Sequence, residues 1–421
     1  MKSTLPHWIK HFLCFSCVLL GQSTILATPL SLSKAQQLAI AQSSELKSLE
    51  SKCFNQSELA IAKGQLDDPK LILGTMNVPV NSFTFNQEPM TQVQVGVMQK
   101  FPRGRTLRYL YLQQSDLSTV IAQEYQLMRL EVLRKVRLSW LMLAYALEQK
   151  RIILREKSIF RHLVKVSESM LANNKAQQKD VIRAQLELAT LDNRLYSVDQ
   201  QMDVAKADLA RWIGEHNAGN ADLSLPLRLG SVLPLMTLQQ SILRHPILSI
   251  EQAKIASAKA GIKLAEQQYK PGVDVSVVYG FRQGKNMDNS NRPDFISAML
   301  VVDLPVFWKN RQNRGLQASL AQLEASEQDR VIHYRDLKEK LSRTYAMWRQ
   351  QRKSDWLYRK HLIPMAKQYA NATMAVYRNA QTDFPTLARA YVRELDVELE
   401  GIRAVMERET SRIELLYLEG K

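Results

Sequence analysis

Between Arg105 and Ile213 the chain contains neither glycine nor proline, although it carries 15 glycines and 14 prolines in 421 residues. These two residues interrupt helices most reliably. Their absence over this span excludes a succession of short elements. It predicts very long helices joined by a turn that needs no special dihedrals. At about 1.5 Å per residue, one helix over residues 105–171 reaches roughly 100 Å, longer than any ordinary globular domain. Cysteine is scarce as well. Of the three, Cys14 and Cys17 fall in an N-terminal apolar segment and only Cys53 lies beyond it. An internal disulfide in the remaining chain is therefore excluded. Hydrophobic residues make up 45% of the sequence, and no apolar run is long enough for a membrane-spanning helix.

The charge balance is one-sided, with a net charge of +16. Lysine and arginine are spread along the helical stretches with acids between them, and no arginine-rich or aromatic-interleaved block stands out. Solvated helix faces explain this better than a nucleic-acid surface. At the N-terminus, Lys2 and Lys10 surround the start of an apolar stretch, FLCFSCVLL at residues 12–20. This pattern predicts an export signal, residues 1–27, cleaved after Ala27; an uncleaved anchor is the alternative.

The rest reads as a loose internal repeat, residues 28–230 and 231–421. Each half has a shorter helix, two alternating strands and then long helices. In the first half residues 32–62 read as a helix. Strands follow at residues 70–78 and 91–101, forming a hairpin over 70–101, and long helices fill 105–213. In TQVQVGVMQKF, Val93, Val95 and Val97 face one way and Gln92, Gln94 and Gly96 the other. Strict alternation marks a strand between two environments. In the second half a helix over residues 235–269 breaks near Pro246. A hairpin follows over 273–303, in which Val275, Val277 and Tyr279 share one face. Long helices fill 312–418, with prolines at 364 and 385. Leu133, Val136, Trp140, Leu143 and Leu147 step by three and four, as do Leu188, Leu191, Leu195 and Val198; this is a coiled-coil seam.

A hairpin with one apolar face cannot cross a bilayer alone, because its edges leave backbone groups unpaired in lipid. Strands of this length do match a tilted span of the hydrocarbon layer. Closing a barrel takes about eight strands or more, so four per chain call for further chains. The apolar strand faces then meet lipid at Val93, Val95, Val97, Val275, Val277 and Tyr279.

No catalytic constellation is present. The seven histidines are scattered, and His162, His245, His333 and His361 read as helix-face residues. There is no HExxH, no phosphate-cradling glycine loop and no nucleophile elbow. The sequence therefore predicts no enzyme, no cofactor and no metal site. Met76, Met90 and Met98 lie in or beside the first hairpin. Thioethers suit soft ions, but packing or lipid contact is the simpler role.

The stretch HLIPMAKQYANATMAVYRNAQTDFPTLARAYVREL, residues 361–395, carries a resemblance. Ile363, Pro364 and Ala366 fit a helix-starting I-L-P-x-A pattern, and Tyr377 fits Y-x-x-G with Ala380 in the place of the glycine. Asp180, Val181 and Ala184 fit D-V-x-x-A. With the order of the repeats, these features resemble the TolC-like outer-membrane efflux family over essentially the whole chain after the signal. Asp68-Pro69, Met90-Thr91-Gln92 and residues 99–104 look like its heavy-metal branch.

The resemblance implies a mainly α, α+β fold in a homotrimer. Long coiled-coil helices would form a trimeric α-helical periplasmic tunnel. Four strands per chain would contribute to a shared 12-stranded transmembrane β-barrel in outer-membrane lipid. It implies docking to a periplasmic adaptor (membrane fusion) protein and an RND-type inner-membrane pump. Asp180 matches the family's first-tip acid, whereas Thr386 and Arg389 occupy the places of second-tip acids. Lys179, Asp180, Arg183 and Arg389 are thus candidates for ion pairs that close the tip, against solvated surface charge as the plainer role. The expected function is a passive exit duct, with heavy-metal cations the leading cargo. A drug-efflux or type I secretion duct, or a periplasmic coiled-coil structural protein, are the alternatives.

Overall fold

The computed structural model describes residues 30–421 except 174, 175, 220, 222, 228 and 380. The expected export signal and Ala380 lie outside the described residues.

The chain opens with helices α1 (Leu32–Gln42) and α2 (Ser44–Lys63). These replace the single helix expected over residues 32–62. Ser43 leaves the helical region at ψ 117°, and its hydroxyl accepts the Leu46 N–H at 3.2 Å and donates to Glu45 at 3.0 Å. A serine that caps so well begins a new helix instead of continuing the old one. Strands β1 (Lys70–Met76) and β2 (Gln92–Phe101) follow.

Helix α3 (Thr106–Ala172) runs unbroken for 67 residues, roughly 100 Å at the helical rise. The turn into it depends on Gly104, whose φ is +52°. A Cβ there would also run into the Lys270 side chain and sit 2.6 Å from the Gln267 amide oxygen, which already accepts the Arg105 N–H. Helix α4 (Gln178–Ile213) returns alongside α3. A short helix α5 (Glu215–Gly219) leads to α6 (Leu235–Ile242) and α7 (Pro246–Gln267), which starts with Pro246 in its first turn. Proline suits that place because its missing N–H has no partner there.

Strands β3 (Gly272–Phe281) and β4 (Phe295–Asp303) make the second hairpin. Helix α8 (Gln312–Leu357) then passes through a π-turn (Tyr358–Leu362) into α9 (Ile363–Arg378). Pro364 cannot donate to the carbonyl four residues back and its ring crowds it. The ladder widens for one turn at this point, and the helix continues past it. Helix α10 (Phe384–Glu419) completes the chain.

The core is strung along the helices. Near the α3–α4 turn, Phe160 and Leu163 of α3 pack with Leu191 and Leu195 of α4 and with Tyr391 and Leu395 of α10. Phe160 and Tyr391 meet edge to face, with centroids 6.4 Å apart. Farther along, Val136 and Trp140 pack with Leu209, Ile213, Ile413 and the alanines of α1. Helices α2 and α7 flank the end of α3 that leads from the sheet, and α8 packs on α7 and α10. The expected seam is buried at Leu133, Val136, Trp140 and Leu143, whereas Leu147 is 39% exposed.

Candidate functional site

The four strands form one antiparallel sheet in the order β1-β2-β3-β4. The two hairpins meet at β2 and β3, so β1 and β4 both keep an unpaired edge among the described residues. Register fixes which side chains share a face, because directly opposed residues project the same way. Val93, Val95 and Val97 stand opposite Phe281, Tyr279 and Val277. Leu73 and Leu71 oppose Val95 and Val97 on the other side. Ile296, Ala298 and Leu300 oppose Tyr279, Val277 and Val275. All six residues expected to share an apolar face therefore do so, and that face bears no charged residue on any strand.

The other face is mixed. It carries Gln92, Gln94, Ser276 and Ser297 among Ile72, Met98 and Met299. It also carries every charged side chain of the strands: Lys70, Lys100, Asp274 and Asp303. Lys100 and Asp274 are directly opposed. Gly96 belongs to this face, where a Cβ would approach the Val277 carbonyl oxygen at 2.6 Å. The β2 and β3 backbones come too close there for any side chain. Both faces are solvent-accessible in the single chain; Ile296 on the uncharged face is 76% exposed and Met299 on the mixed face 63%. An ordered sheet with an uncharged face, two open edges and no cover is incomplete in water.

The far end of the long helices brings the two turns together. Gln177, Lys179 and Asp180 of the first line one groove with Tyr377, Thr382, Asp383 and Phe384 of the second. Each return helix starts on an acid. Asp180 closes a capping box, accepting the Gln177 N–H at 3.1 Å. Asp383 caps α10 by accepting the Thr386 N–H at 3.1 Å. The Thr386 hydroxyl first, then that backbone bond and the nearby Arg389 guanidinium, hold its carboxyl below the usual range, against a smaller effect of burial. Arg389 donates to the Thr386 hydroxyl at 3.2 Å. Lys179, Arg183 and Arg389 are exposed and Asp180 half-buried. The four candidate residues cluster at the tip, and no ion pair joins them within one chain among the described residues. Asp383 was not picked out from the sequence. Its signal was the Asp-Phe-Pro start of a helix, an N-cap followed by proline in the first turn.

A second group missed by the sequence reading lies in the helical shaft. Glu156 on α3 is 1% exposed and Glu394 on α10 is 9% exposed, both amid the Phe160–Tyr391 core. Glu398, a turn further on, is paired with Arg155 and with Lys367 at 3.0 Å. Glu156 has no such partner among the described residues, and one of its carboxyl oxygens is buried without a hydrogen bond. Burial, and then the neighbouring Glu394 charge, push its carboxyl up to about 7, against a smaller opposing pull from Arg155. His245, read as a helix-face residue, is 1% exposed and caps α7 beside Tyr417. Burial pushes its imidazole down to about 4.

Among the described residues no three His, Cys, Asp or Glu side chains are placed to hold a metal. No described helix is long and apolar enough to cross a membrane. The arrangement offers two distinct surfaces, a two-faced sheet and a charged tip, at opposite ends of a helical shaft.

No protein-family model matches the chain, and no curated protein matches it. Solved structures do. The outer membrane protein VceC of Vibrio cholerae superposes with a TM-score of 0.77 at 14% identity, over 92% of this chain and 96% of its own. The CusC transmembrane channel gives 0.76 at 11% identity, over 93% of each chain. The open-state outer membrane channel MtrE of Neisseria gonorrhoeae gives 0.73 at 13% identity, over 92% and 88%. The chain thus has the mainly α, α+β fold that these outer-membrane channels share. This is the fold implied by the resemblance to the TolC-like family.

Proposed function

We propose that the protein is the outer-membrane exit duct of a tripartite efflux system, acting as a homotrimer. The observation that carries this reading is the open four-stranded sheet, uncharged on one face and covered by no other element among the described residues, at the end of long helices of which α3 reaches roughly 100 Å. Three such sheets joined edge to edge, β1 of one chain to β4 of the next, leave no unpaired backbone in lipid. The uncharged face then meets outer-membrane lipid and the mixed face lines a lumen. The shafts extend through the periplasm, where the tips meet a periplasmic adaptor and an RND-type inner-membrane pump.

The duct is passive in this reading: it conducts what the pump delivers and has no catalytic step. The motifs at residues 68–69, 90–92 and 99–104 favour a pump for heavy-metal cations. Residues 28–230 and 231–421 are its two structural repeats, each contributing a hairpin and its long helices. Extraction from outer-membrane fractions followed by native mass measurement tests the assembly. Three chain masses are expected, and a soluble periplasmic monomer would overturn the reading.

The tip charges gate the duct in the same proposal. Asp180 of each chain stands near Lys179, Arg183 and Arg389, and a threefold ring repeats every repulsion. Asp180→Ala is expected to raise single-channel conductance in planar bilayers and to admit large antibiotics to cells. Asp180→Ala also removes the capping box, worth about 1 kcal/mol. Asp180→Asn keeps an acceptor at that position and removes only the charge. Raised conductance in both variants supports an electrostatic gate; a rise in Asp180→Ala alone assigns the effect to the cap.

A further inference from the structure

The turn that leaves β4 is ordered, apolar and uncovered. Leu304, Val306, Phe307 and Trp308 are 70%, 62%, 80% and 53% exposed. Both ends of the turn are held. Asp303 pairs with Arg103 at 3.4 Å, and Arg103 also donates to the Gln268 carbonyl at 3.0 Å. At the other end Asn313 donates its N–H to the Trp308 carbonyl at 2.9 Å and accepts the Tyr269 hydroxyl at 2.6 Å. A turn fixed at both ends presents its apolar side chains in one place. That place borders the uncharged face of the sheet: Phe101 and Val302 both stand level with Val273, the last row of that face.

Cations gather at the same level. Arg105 and Arg108 follow β2, while Lys309, Arg311 and Arg314 follow β4. All five are exposed, and no ion pair engages their side chains among the described residues. Arg103 differs, its charge being answered by Asp303. The acids nearby are Asp67 and Asp68, at the approach to β1, and Asp274, which stands opposite Lys100. Tryptophan and phenylalanine beside cations, at the border of an apolar wall, is the pattern of a bilayer's headgroup level. Cations at that level are attracted to anionic lipid, each by on the order of fivefold in binding.

We propose that this collar binds anionic phospholipid headgroups in the leaflet that faces the helical shaft, with Phe307 and Trp308 seated at the acyl boundary. The inference rests on the reading of the sheet as part of a membrane barrel. These five cations lie at the helical end of the strands, out of reach of the opposite leaflet; at the other end Arg282 and Arg292 are engaged by backbone carbonyls, and Lys285 is an exposed cation there.

The test uses the full-length protein reconstituted with an equimolar mixture of phosphatidylglycerol and phosphatidylcholine. Vesicle flotation comes first, and native mass spectrometry then counts the lipids retained. The wild type is expected to retain phosphatidylglycerol over phosphatidylcholine by about tenfold. A variant with Arg105, Arg108, Lys309, Arg311 and Arg314 each changed to Gln is expected to retain both equally. A second variant, with Arg330, Arg335, Lys338, Arg349 and Lys353 of the α8 shaft changed to Gln, loses the same charge elsewhere and should keep the preference. Wild-type protein that does not float overturns the barrel reading and the collar together. Protein that floats but shows no preference overturns the collar alone, as does equal loss of preference in both variants.

Discussion

Val95→Arg is expected to abolish assembly of the trimer, while Gln94→Arg, one residue away, assembles as the wild type does. Successive strand residues face opposite ways, and the register shows what each would meet. Val95 lies between Leu73 and Tyr279 on the uncharged face. A charge placed there at the bilayer midplane costs about 2–4 kcal/mol, and the symmetry of a trimer imposes it three times. Gln94 lies between Gly74 and Gly280 on the mixed face. Neither neighbour has a side chain, so a longer residue has room and reaches the lumen. Val277→Arg tests the same face from β3, where Val97 and Ala298 are its neighbours. The measurement is the yield of folded trimer in outer-membrane fractions, which should fall by about thirtyfold or more for Val95→Arg and Val277→Arg. Equal yields for all three variants would show that the two faces are wrongly assigned.

The alternation that made this face legible is local, and so was read from the sequence. The absence of glycine and proline over residues 105–213 likewise predicted α3 and α4 to within a few residues. The junction of the two hairpins was not legible. Val95 and Tyr279 are neighbours in the sheet but far apart in the chain, and alternation says nothing about which strand lies beside which. The break at Ser43 escaped because a serine cap involves neither of the strong helix breakers. Asp180 and Arg183 have the i, i+3 spacing of a helical ion pair. Yet Asp180 is the third residue of α4, where unpaired N–H groups compete for its carboxylate, and the Gln177 N–H engages it. Glu156 was legible in principle. Ile153, Phe160, Leu163 and Ser167 step by seven, three and four along α3, and position 156 completes the seam with a carboxylate.

That carboxylate leads to the second large effect. Glu156→Gln is expected to stabilise the helical shaft at pH 8 and to leave it nearly unchanged at pH 5. The folded-state carboxyl titrates at about 7, against an ordinary value of 4.5. A group whose pKa is raised by folding contributes stability that is complete below the unfolded value. It is lost as pH rises through the folded value. A difference of this size corresponds to about 3 kcal/mol once Glu156 is fully ionised. Gln matches the protonated side chain in shape and cannot ionise, so it removes that loss.

Glu394 is shifted the same way by burial, and removing its charged neighbour eases its own ionisation. Arg155 and Lys367 stay bound to Glu398 in either variant, while Tyr391, itself raised by burial, remains neutral throughout. His245 acts in the opposite sense, since its lowered pKa withdraws stability as pH falls from 6.5 towards 4. Its effect is common to both proteins and cancels in their difference. Thermal unfolding of detergent-solubilised protein, followed by helical circular dichroism, gives that difference at each pH. A gap that opens between pH 5 and pH 8 identifies Glu156 as a carboxyl that is neutral in acid and costly in base. A constant gap would mean that Glu156 is ionised throughout and answered by Arg155, and the shaft would then carry no pH-dependent layer at this position.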